Sequence, residues 1–504
     1  MISEVNTVTF NGIETIDIQV QAHIGKGIPA FNIVGLPDKI IAESKERIRA
    51  SLNSIALDIP PKRITLNLSP ASLSKEGSHF DLPIAICLLV GLNILPQEAL
   101  EKYIIMGELS LDGSILPVSG ILPASIGASS RNLGIICPAK NGNEASWSGN
   151  DDILAPQNLL ALINHFKGTQ TLLPPEIKIT ESNIKYPDFK DVIGQETAKR
   201  ALEIAAAGNH NVLMTGTPGS GKSMLASRIP GILPEMNATE ILETSMVYSI
   251  SNRIKDGQLK RTRPFRSPHH SSSTIALVGG GHSKKISPGE ISLAHNGVLF
   301  LDELPEFSRA TIESLRQPLE TGSINISRAS SQVTYPAKFQ FIAAMNPCKC
   351  GYLSDANRAC SKAPRCAEDY QNKISGPILD RIDILVEVNA VPGYGTKSIE
   401  NNETSEIIRE RVLKARILQQ ERHHGYGIAL NSELEGELLY EIASLDNEGQ
   451  ALLNKFGEAH KISMRSYNRI LKVARTIADL DSSQKIRKYH IAEAINYKTS
   501  SLVG

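Results

Sequence analysis

Eight consecutive residues restrict what this chain can fold into more than any other feature: Gly216-Thr217-Pro218-Gly219-Ser220-Gly221-Lys222-Ser223, just after the apolar run Val212 to Met214. They fit G-x-x-x-x-G-K-[ST], a motif that requires a strand before it and a helix after it. The glycines let backbone N–H groups converge on phosphate oxygens at the helix N-terminus. Lys222 then reaches the outer phosphates as a point charge, and the Ser223 hydroxyl serves as a magnesium ligand. Gly216 to Ser223 are therefore the expected binding loop for ATP with Mg2+. An ordinary glycine turn before a helix is the alternative, disfavoured by the strand before it and the Lys-Ser pair after it.

Around this loop the chain alternates strand and helix. A helix is expected over 196–207, a strand over 211–215, a helix from Lys222, and further strands over 298–301 and 339–344. That order marks an α/β fold, a parallel sheet flanked by helices. Nucleotide hydrolysis also needs a carboxylate on a neighbouring strand, and Gly297-Val298-Leu299-Phe300-Leu301-Asp302-Glu303 supplies one after four apolar residues. Asp302 is the expected partner of the magnesium shell. Glu303 can polarise the attacking water, because successive carboxylates at a strand end project to different sides. A strand closing in a solvated acidic turn is the competing reading. The third strand runs into Asn346-Pro347, where the Asn346 amide would sit between the other two strands and orient the water beside the γ-phosphate. Asn-Pro is also a common turn starter, so this role leans on the two preceding motifs.

The 504 residues, 41% apolar and 21% charged, suffice for roughly three domains. Residues 1–170 read as a compact α/β domain of short strands punctuated by Gly and Pro, with a helix over 39–54 and a buried helix over 84–92. Residues 171–186 carry Pro174 and Pro175 among polar residues without a sustained period and read as a linker. Residues 187–390 are the expected ATPase core. Residues 391–504 open on a Gly/Asn-rich stretch and continue with helical spacing, one stripe set by Ile407, Val412, Ala415 and Leu418 and another by Tyr467, Ile470, Leu471, Ala474 and Ile477. Lys+Arg and Asp+Glu both number 53, so no global positive field draws the chain to nucleic acid or an anionic membrane, and any such binding must be local. No apolar stretch reaches the roughly 20 residues of a bilayer span, and the N-terminus lacks a basic region followed by an apolar one. A soluble, cytoplasmic protein without a membrane partner is expected.

Six cysteines are too few for a disulfide scaffold in a chain of this size. Four of them, Cys348, Cys350, Cys360 and Cys366, fall in the loop 347–373. Four soft ligands in a small loop suit tetrahedral zinc. C-x-C is a tighter bite than C-x-x-C and no histidine lies inside the loop, so labile thiols and a redox pair stay open as alternatives. Cys87 and Cys137 sit in apolar runs and read as buried packing residues.

The phosphate loop, the acidic pair and Asn346 together resemble the AAA+ ATPases, and more narrowly their magnesium-chelatase-like branch, with Asp191-Val192-Ile193-Gly194-Gln195 similar to the segment on the adenine side. Ser375-Gly376-Pro377-Ile378-Leu379-Asp380-Arg381-Ile382-Asp383 is similar to the segment that carries a trans-acting arginine finger. The resemblance implies that Arg381 reaches the neighbouring subunit's nucleotide, where it would neutralise charge developing in phosphoryl transfer. A surface ion pair with Asp380 or Asp383 is the alternative. Ser463-Met464-Arg465-Ser466-Tyr467 looks like the start of the lid helix that bears the second sensor, which makes Arg465 the implied phosphate contact there, with a similar alternative.

Over its whole length the chain resembles the competence-protein (ComM/YifB) family of magnesium-chelatase-related ATPases. Lys75 to Pro83 and Gly107 to Gly120 are similar to the core of the Lon protease domain. Yet the Lon serine falls at His79 and its lysine base at about Leu122, so the Ser-Lys pair that activates a hydroxyl is missing. Ser78 lies next door without a matching lysine. The domain is expected to be a non-catalytic assembly or DNA-guiding module, with His79 and Asp81 as surface or packing residues. The resemblance further implies ATP hydrolysis by a hexameric ring that drives branch migration of DNA in homologous recombination and natural transformation. A local place for DNA lies between Arg261 and Lys285, where Arg261, Arg263, Arg266, His269, His270, Lys284 and Lys285 stand among glycines and serines. Such an insertion can touch phosphates without reading bases; a solvated or subunit-contacting loop is the alternative. A chelatase-type motor subunit and an ATP-binding scaffold without DNA translocation are the rival functions.

Overall fold

The computed structural model describes residues 2–177, 186–281, 286–328, 331–351, 365–389 and 402–499. Residues 178–185 of the expected linker, together with Lys284, Lys285 and Cys360, lie outside the described residues.

Near the N-terminus, alternating apolar residues build a seven-stranded sheet in the order Ala30–Val34, Arg63–Ser69, Glu14–Gly25, Ile2–Asn11, Tyr103–Ile105, Gly134–Ile136, Ile153–Leu154. Ile2–Asn11 and Glu14–Gly25 pair antiparallel, with Ile2 opposite His23 and Asn11 opposite Glu14. Ile18, Val20 and Ala22 on one strand and Ile64, Leu66 and Leu68 on its neighbour fall in one buried cluster. This is the period-two pattern of a sheet with a packed face. Helix Asp81–Gly91 packs there and is buried at every residue from Asp81 to Val90. Helix Lys39–Ser54 buries Ile41, Ile48 and Leu52, and its N-terminus is capped by Asp38, whose carboxylate accepts from Ile41 N at 2.8 Å. Cys87 and Cys137 are fully buried in this region, and burial pushes the Cys87 thiol up to about 12.

The phosphate-loop motif belongs to a second sheet of five parallel strands, ordered Phe265–Arg266, Val298–Leu301, Gln340–Met345, Val212–Thr215, Ile384–Glu387. Val212, Met214, Phe300, Ile342, Ala344, Ile384 and Val386 pack with helix Glu196–Gly208 and the C-terminal helices. Leu213, Leu299, Leu301, Phe341, Ala343 and Met345 pack on the other face, among Leu277, Ile291 and Ile312. Burial on both faces is why these strands read as unbroken apolar runs.

The C-terminal helices are Ser405–Arg422, Gly436–Ile442, Asn447–His460, Met464–Leu480 and Lys488–Thr499. In Met464–Leu480 the expected stripe faces inward: Ile470, Leu471, Ala474 and Ile477 are buried and Tyr467 is partly so. In Ser405–Arg422 the expected stripe is partly displaced. Val412 and Ala415 of that stripe are buried as expected, but Ile407 and Leu418 are 47% and 36% exposed, and Ile408 and Gln419 are buried in their place. The cause is polar. Arg416 Nη2 donates to Ala206 O at 2.6 Å and Gln419 Nε2 to Ala207 O at 3.1 Å, which satisfies carbonyls that the end of helix Glu196–Gly208 leaves open.

Among the described residues, the N-terminal region and the core touch at several places, two of which are set by specific side chains or turns. Gly12 sits at φ +67°, and a Cβ there would lie 2.1 Å from Thr334 O, so the turn between the first two strands presses its backbone onto the hairpin Ser323–Arg328 and Ser331–Pro336. At the second, Trp147 Nε1 donates to Gly257 O at 3.1 Å and Ser249 Oγ donates to Glu144 Oε1 at 2.5 Å.

Candidate active site

Strand Val212–Thr215 lies between Gln340–Met345 and Ile384–Glu387, so the loop that leaves its C-terminal end is framed by both neighbours. Gly216 N donates to Met345 O at 3.2 Å, and a Cβ on Gly216 would stand 2.2 Å from Val388 O. Gly219 and Gly221 take φ +78° and +97°, a left-handed path that brings the chain to the start of helix Lys222–Ala226. On the upstream segment, Gln195 Nε2 donates to Ser220 O at 3.2 Å and ties the expected adenine-side residues to the loop.

Lys222 is 7% exposed, and its Nζ donates to Gly216 O at 2.7 Å, Thr217 O at 3.0 Å and Asn346 Oδ1 at 3.1 Å. Burial pushes this ammonium below its ordinary range, against the opposing pull of Asp302 and Glu303. The Ser223 hydroxyl donates to Asp302 Oδ2 at 2.6 Å, and Asp302 Oδ1 accepts from Glu303 N at 2.9 Å. The expected phosphate, magnesium and water-orienting residues thus share one end of the parallel sheet. Thr217 Oγ1 and Ser220 Oγ are buried there without a hydrogen-bond partner. These orphaned hydroxyls and an ammonium with only neutral partners suit a polyphosphate.

Glu303 holds φ +52°, and its Oε2 lies 3.2 Å from His270 Nδ1. The His270 ring stands edge-on to Phe307 at 6.4 Å. Sequence reasoning counted His270 only as a cation in a basic stretch. Its pairing with Glu303 is tertiary and leaves no local signal.

Arg381 and Arg465 stand at the opposite end of the sheet. Asn211, which immediately precedes strand Val212–Thr215, donates from Nδ2 to Arg381 O at 2.9 Å. Four residues at about 3.3 Å each put that end about 13 Å from the phosphate loop. Arg381 pairs with neither Asp380 nor Asp383; its Nη2 lies 2.7 Å from Glu320 Oε2, its Nη1 donates to Pro377 O at 2.7 Å, and its buried Nε has no partner. The Arg381 guanidinium holds the Glu320 carboxyl below its ordinary range. Arg465 is 56% exposed at its side chain and lies 3.8 Å from Asp380. Both arginines line a cavity of about 750 Å³ with Glu320, Asp383, Arg469 and Lys472. Burial works against the Asp383 charge, yet His210 and Arg469 outweigh it and keep that carboxyl below its ordinary range. Arg465 thus stands at the sheet end away from the phosphate loop of its own chain.

The arginines expected to meet DNA are not gathered into one patch. Arg263 is bound inside the protein, donating to Pro234 O at 2.6 Å and Asn296 O at 2.8 Å and pairing with Glu240 at 3.1 Å. Arg266 pairs with Glu290 at 2.5 Å, and the Arg261 guanidinium lies over the Trp147 ring at 5.0 Å. Charge counted along the chain overlooked partners that the fold brings from elsewhere. The hairpin at Ser323–Pro336 was also missed, although Ile324, Ile326, Val333 and Tyr335 alternate with polar residues.

At the Lon-like positions, His79 is 8% exposed with Nε2 3.0 Å from Val8 O. Ser78 Oγ hydrogen-bonds Glu108, and Leu122 is fully buried. Asp81, also fully buried, pairs with Arg47 at 2.7 Å and accepts from Leu109 N at 3.3 Å and from Ser44 Oγ. His79 and Asp81 are packing residues rather than surface ones. In the cysteine loop, Cys348, Cys350 and Cys366 place their Sγ atoms within 4.8 Å of one another.

A family model described as magnesium chelatase, subunit ChlI, matches residues 188–395; a second ChlI model matches 20–141, and one for the ChlI C-terminal region matches 402–498. The competence protein ComM of Haemophilus influenzae is 43% identical over 495 residues, covering 97% of this chain and 95% of that protein. YifB of Escherichia coli is 41% identical over 498 residues, covering 99% and 97%. The magnesium-chelatase 67 kDa subunit of Chlorobaculum parvum is more distant, 24% identical over 274 residues that cover 52% of this chain and 37% of that protein.

Proposed function

Because the chain belongs to the ComM/YifB family of magnesium-chelatase-related AAA+ ATPases, we propose that it is a ring-forming DNA motor, a hexameric branch-migration helicase of homologous recombination and natural transformation. ATP with Mg2+ is its proposed fuel, zinc the proposed metal of its cysteine loop, DNA its substrate, and the cytoplasm its place of work. The observation that most supports an ATP-driven motor is the convergence of Lys222, Ser223, Asp302 and Asn346 at one sheet end, with Lys222 bound to Asn346 at 3.1 Å and Ser223 to Asp302 at 2.6 Å. The competence function in the name of the ComM relative supports a task on incoming DNA.

In this reading Lys222 and the loop N–H groups hold the β- and γ-phosphates, and Ser223 and Asp302 hold the magnesium ion that offsets their charge. Glu303, oriented by His270, takes a proton from the attacking water, while Asn346 fixes that water's position. Arg381 and Arg465 belong to the next site around the ring, where they meet the neighbour's phosphates. DNA contacts are proposed for Arg261, Lys284 and Lys285. Arg263 and Arg266 already have internal partners.

The deciding measurement is ATP turnover across single-stranded, duplex, forked and three-stranded DNA. Stimulation by branched substrates, with strand exchange that requires ATP, is the expected result. Brisk turnover that ignores every DNA would reject the DNA motor and leave the ATPase.

A further inference from the structure

We propose that Cys348, Cys350 and Cys366 form a site for a thiophilic divalent cation, zinc by the chemistry of the donors, and that the filled site braces the phosphate loop so that ATP affinity depends on the metal. The brace rests on the ATP-binding reading above; the metal site does not.

The three Sγ atoms lie within 4.8 Å of one another, and Cys348 is fully buried. Thiolates bound to tetrahedral zinc at about 2.3 Å stand about 3.8 Å apart, so one ion can engage all three after small side-chain rotations. Zinc favours such soft donors over the oxygen ligands that suit magnesium. Cys348 and Cys350 stand in the turn after strand Gln340–Met345, and Cys366 stands in helix Arg365–Gln371. A shared ion therefore joins that turn to that helix. One direct bond already links them, from Gln371 Nε2 to Pro347 O at 2.9 Å.

The turn also touches the nucleotide site. Gly351 N donates to Cys348 O at 2.9 Å and closes the turn. Gly351 sits at φ +85°, where a Cβ would stand 2.6 Å from Cδ and Cγ of Pro218 in the phosphate loop. Asn346, at the other end of the same turn, accepts from Lys222 Nζ at 3.1 Å. Pro218 and Lys222 thus both lean on residues flanking the thiols. The turn Pro347-Cys348-Lys349-Cys350-Gly351 has no aliphatic or aromatic side chain beyond its proline. Metal–thiolate bonds would supply the folding energy that it lacks, and binding would release the thiol protons.

The test uses the full chain purified without chelator. Metal analysis should find about one zinc per chain. The Kd of a fluorescent ATP analogue, measured without DNA, should rise about tenfold when zinc is stripped with a mercurial thiol reagent and chelator, within the usual range of coupling between two sites. Reducing the protein and restoring zinc should reverse the rise. Gly351→Ala should keep its zinc and still bind the analogue weakly, because the added methyl group meets Pro218. Cys366→Ser should lose zinc and nucleotide affinity together; if it fails to fold, stripping and restoring zinc on the parent chain makes the same comparison. Zinc below about one-tenth of an equivalent overturns the site. Full zinc with unchanged affinity after stripping, or in Gly351→Ala, overturns the brace. A chain that never responds to DNA would reject the motor and leave both results standing, whereas one that binds no nucleotide in any metal state rejects ATP binding and the brace together.

Discussion

A buried ammonium bonded to two carbonyls and an amide has no countercharge at hydrogen-bond distance, and Lys222 is held this way. In the proposed site phosphates supply the contact countercharge that it lacks, so Lys222→Ala should weaken ATP binding by about a hundredfold or more, the worth of a charged hydrogen-bond partner in a desolvated site. Glu303 differs. Glu303→Gln should bind ATP within about threefold of the parent and lose at least about a hundredfold in turnover, because general-base catalysis is what the carboxylate supplies. Filter binding and single-turnover hydrolysis on the same preparations read both quantities, and equal binding losses in the two variants would refute the division of roles. In the proposed mechanism His270, 3.2 Å from Glu303, orients the base. His270→Ala should slow turnover by about three- to tenfold without changing ATP affinity, and His270→Asn, which can still donate a hydrogen bond, should recover part of the rate.

At the scale of elements, the network around Asp81 joins helix Asp81–Gly91 to helix Lys39–Ser54, since Arg47 and Ser44 both bond the carboxylate. Asp81→Ala leaves the Arg47 guanidinium without its partner and should cost about 3 kcal/mol in the urea unfolding of the N-terminal region. ATP affinity should not change, and unchanged unfolding would show the network to be dispensable. Which elements could be read from the chain follows from where their information lies. The phosphate loop, the Asp302-Glu303 pair and Asn346 were legible because each is a contiguous motif at the end of an apolar strand buried on both faces. Helix Lys39–Ser54 was legible because Ile41, Ile48 and Leu52 keep helical spacing. The face of Ser405–Arg422 was read correctly at Val412 and Ala415 and misread at Ile407 and Leu418, because Gln419 and Arg416 turn inward to cap carbonyls of a helix about two hundred positions upstream, a demand that hydropathy does not record. Arg263 and Arg266 were read as candidate DNA contacts because Glu240 and Glu290, which pair with them, lie far from them along the chain.

For the whole molecule, the separation of Lys222 from Arg381 and Arg465 by the length of a strand is the dominant geometric fact. Both arginines line the cavity of about 750 Å³ at the far end of the sheet, and in the proposed ring the neighbouring subunit presents its nucleotide there. Subunits carrying Lys222→Ala and subunits carrying Arg381→Ala, each nearly inactive alone, should regain part of the ATPase when mixed, because a hybrid interface can unite an intact loop with an intact arginine. Arg465→Ala should behave as Arg381→Ala does. Absence of recovery in rings shown by native mass spectrometry to be mixed would mean that the arginines act elsewhere.

The polarity of that sheet also bears on counting. A subunit that offers a socket at one end and a plug at the other associates head to tail, through two different surfaces. In any open row of such subunits, the first and last copies each hold half a site with nothing to complete it. Only a closed circle has as many finished sites as chains, so ring closure would bring into use the one socket and the one plug that every row leaves idle, whatever the number of copies.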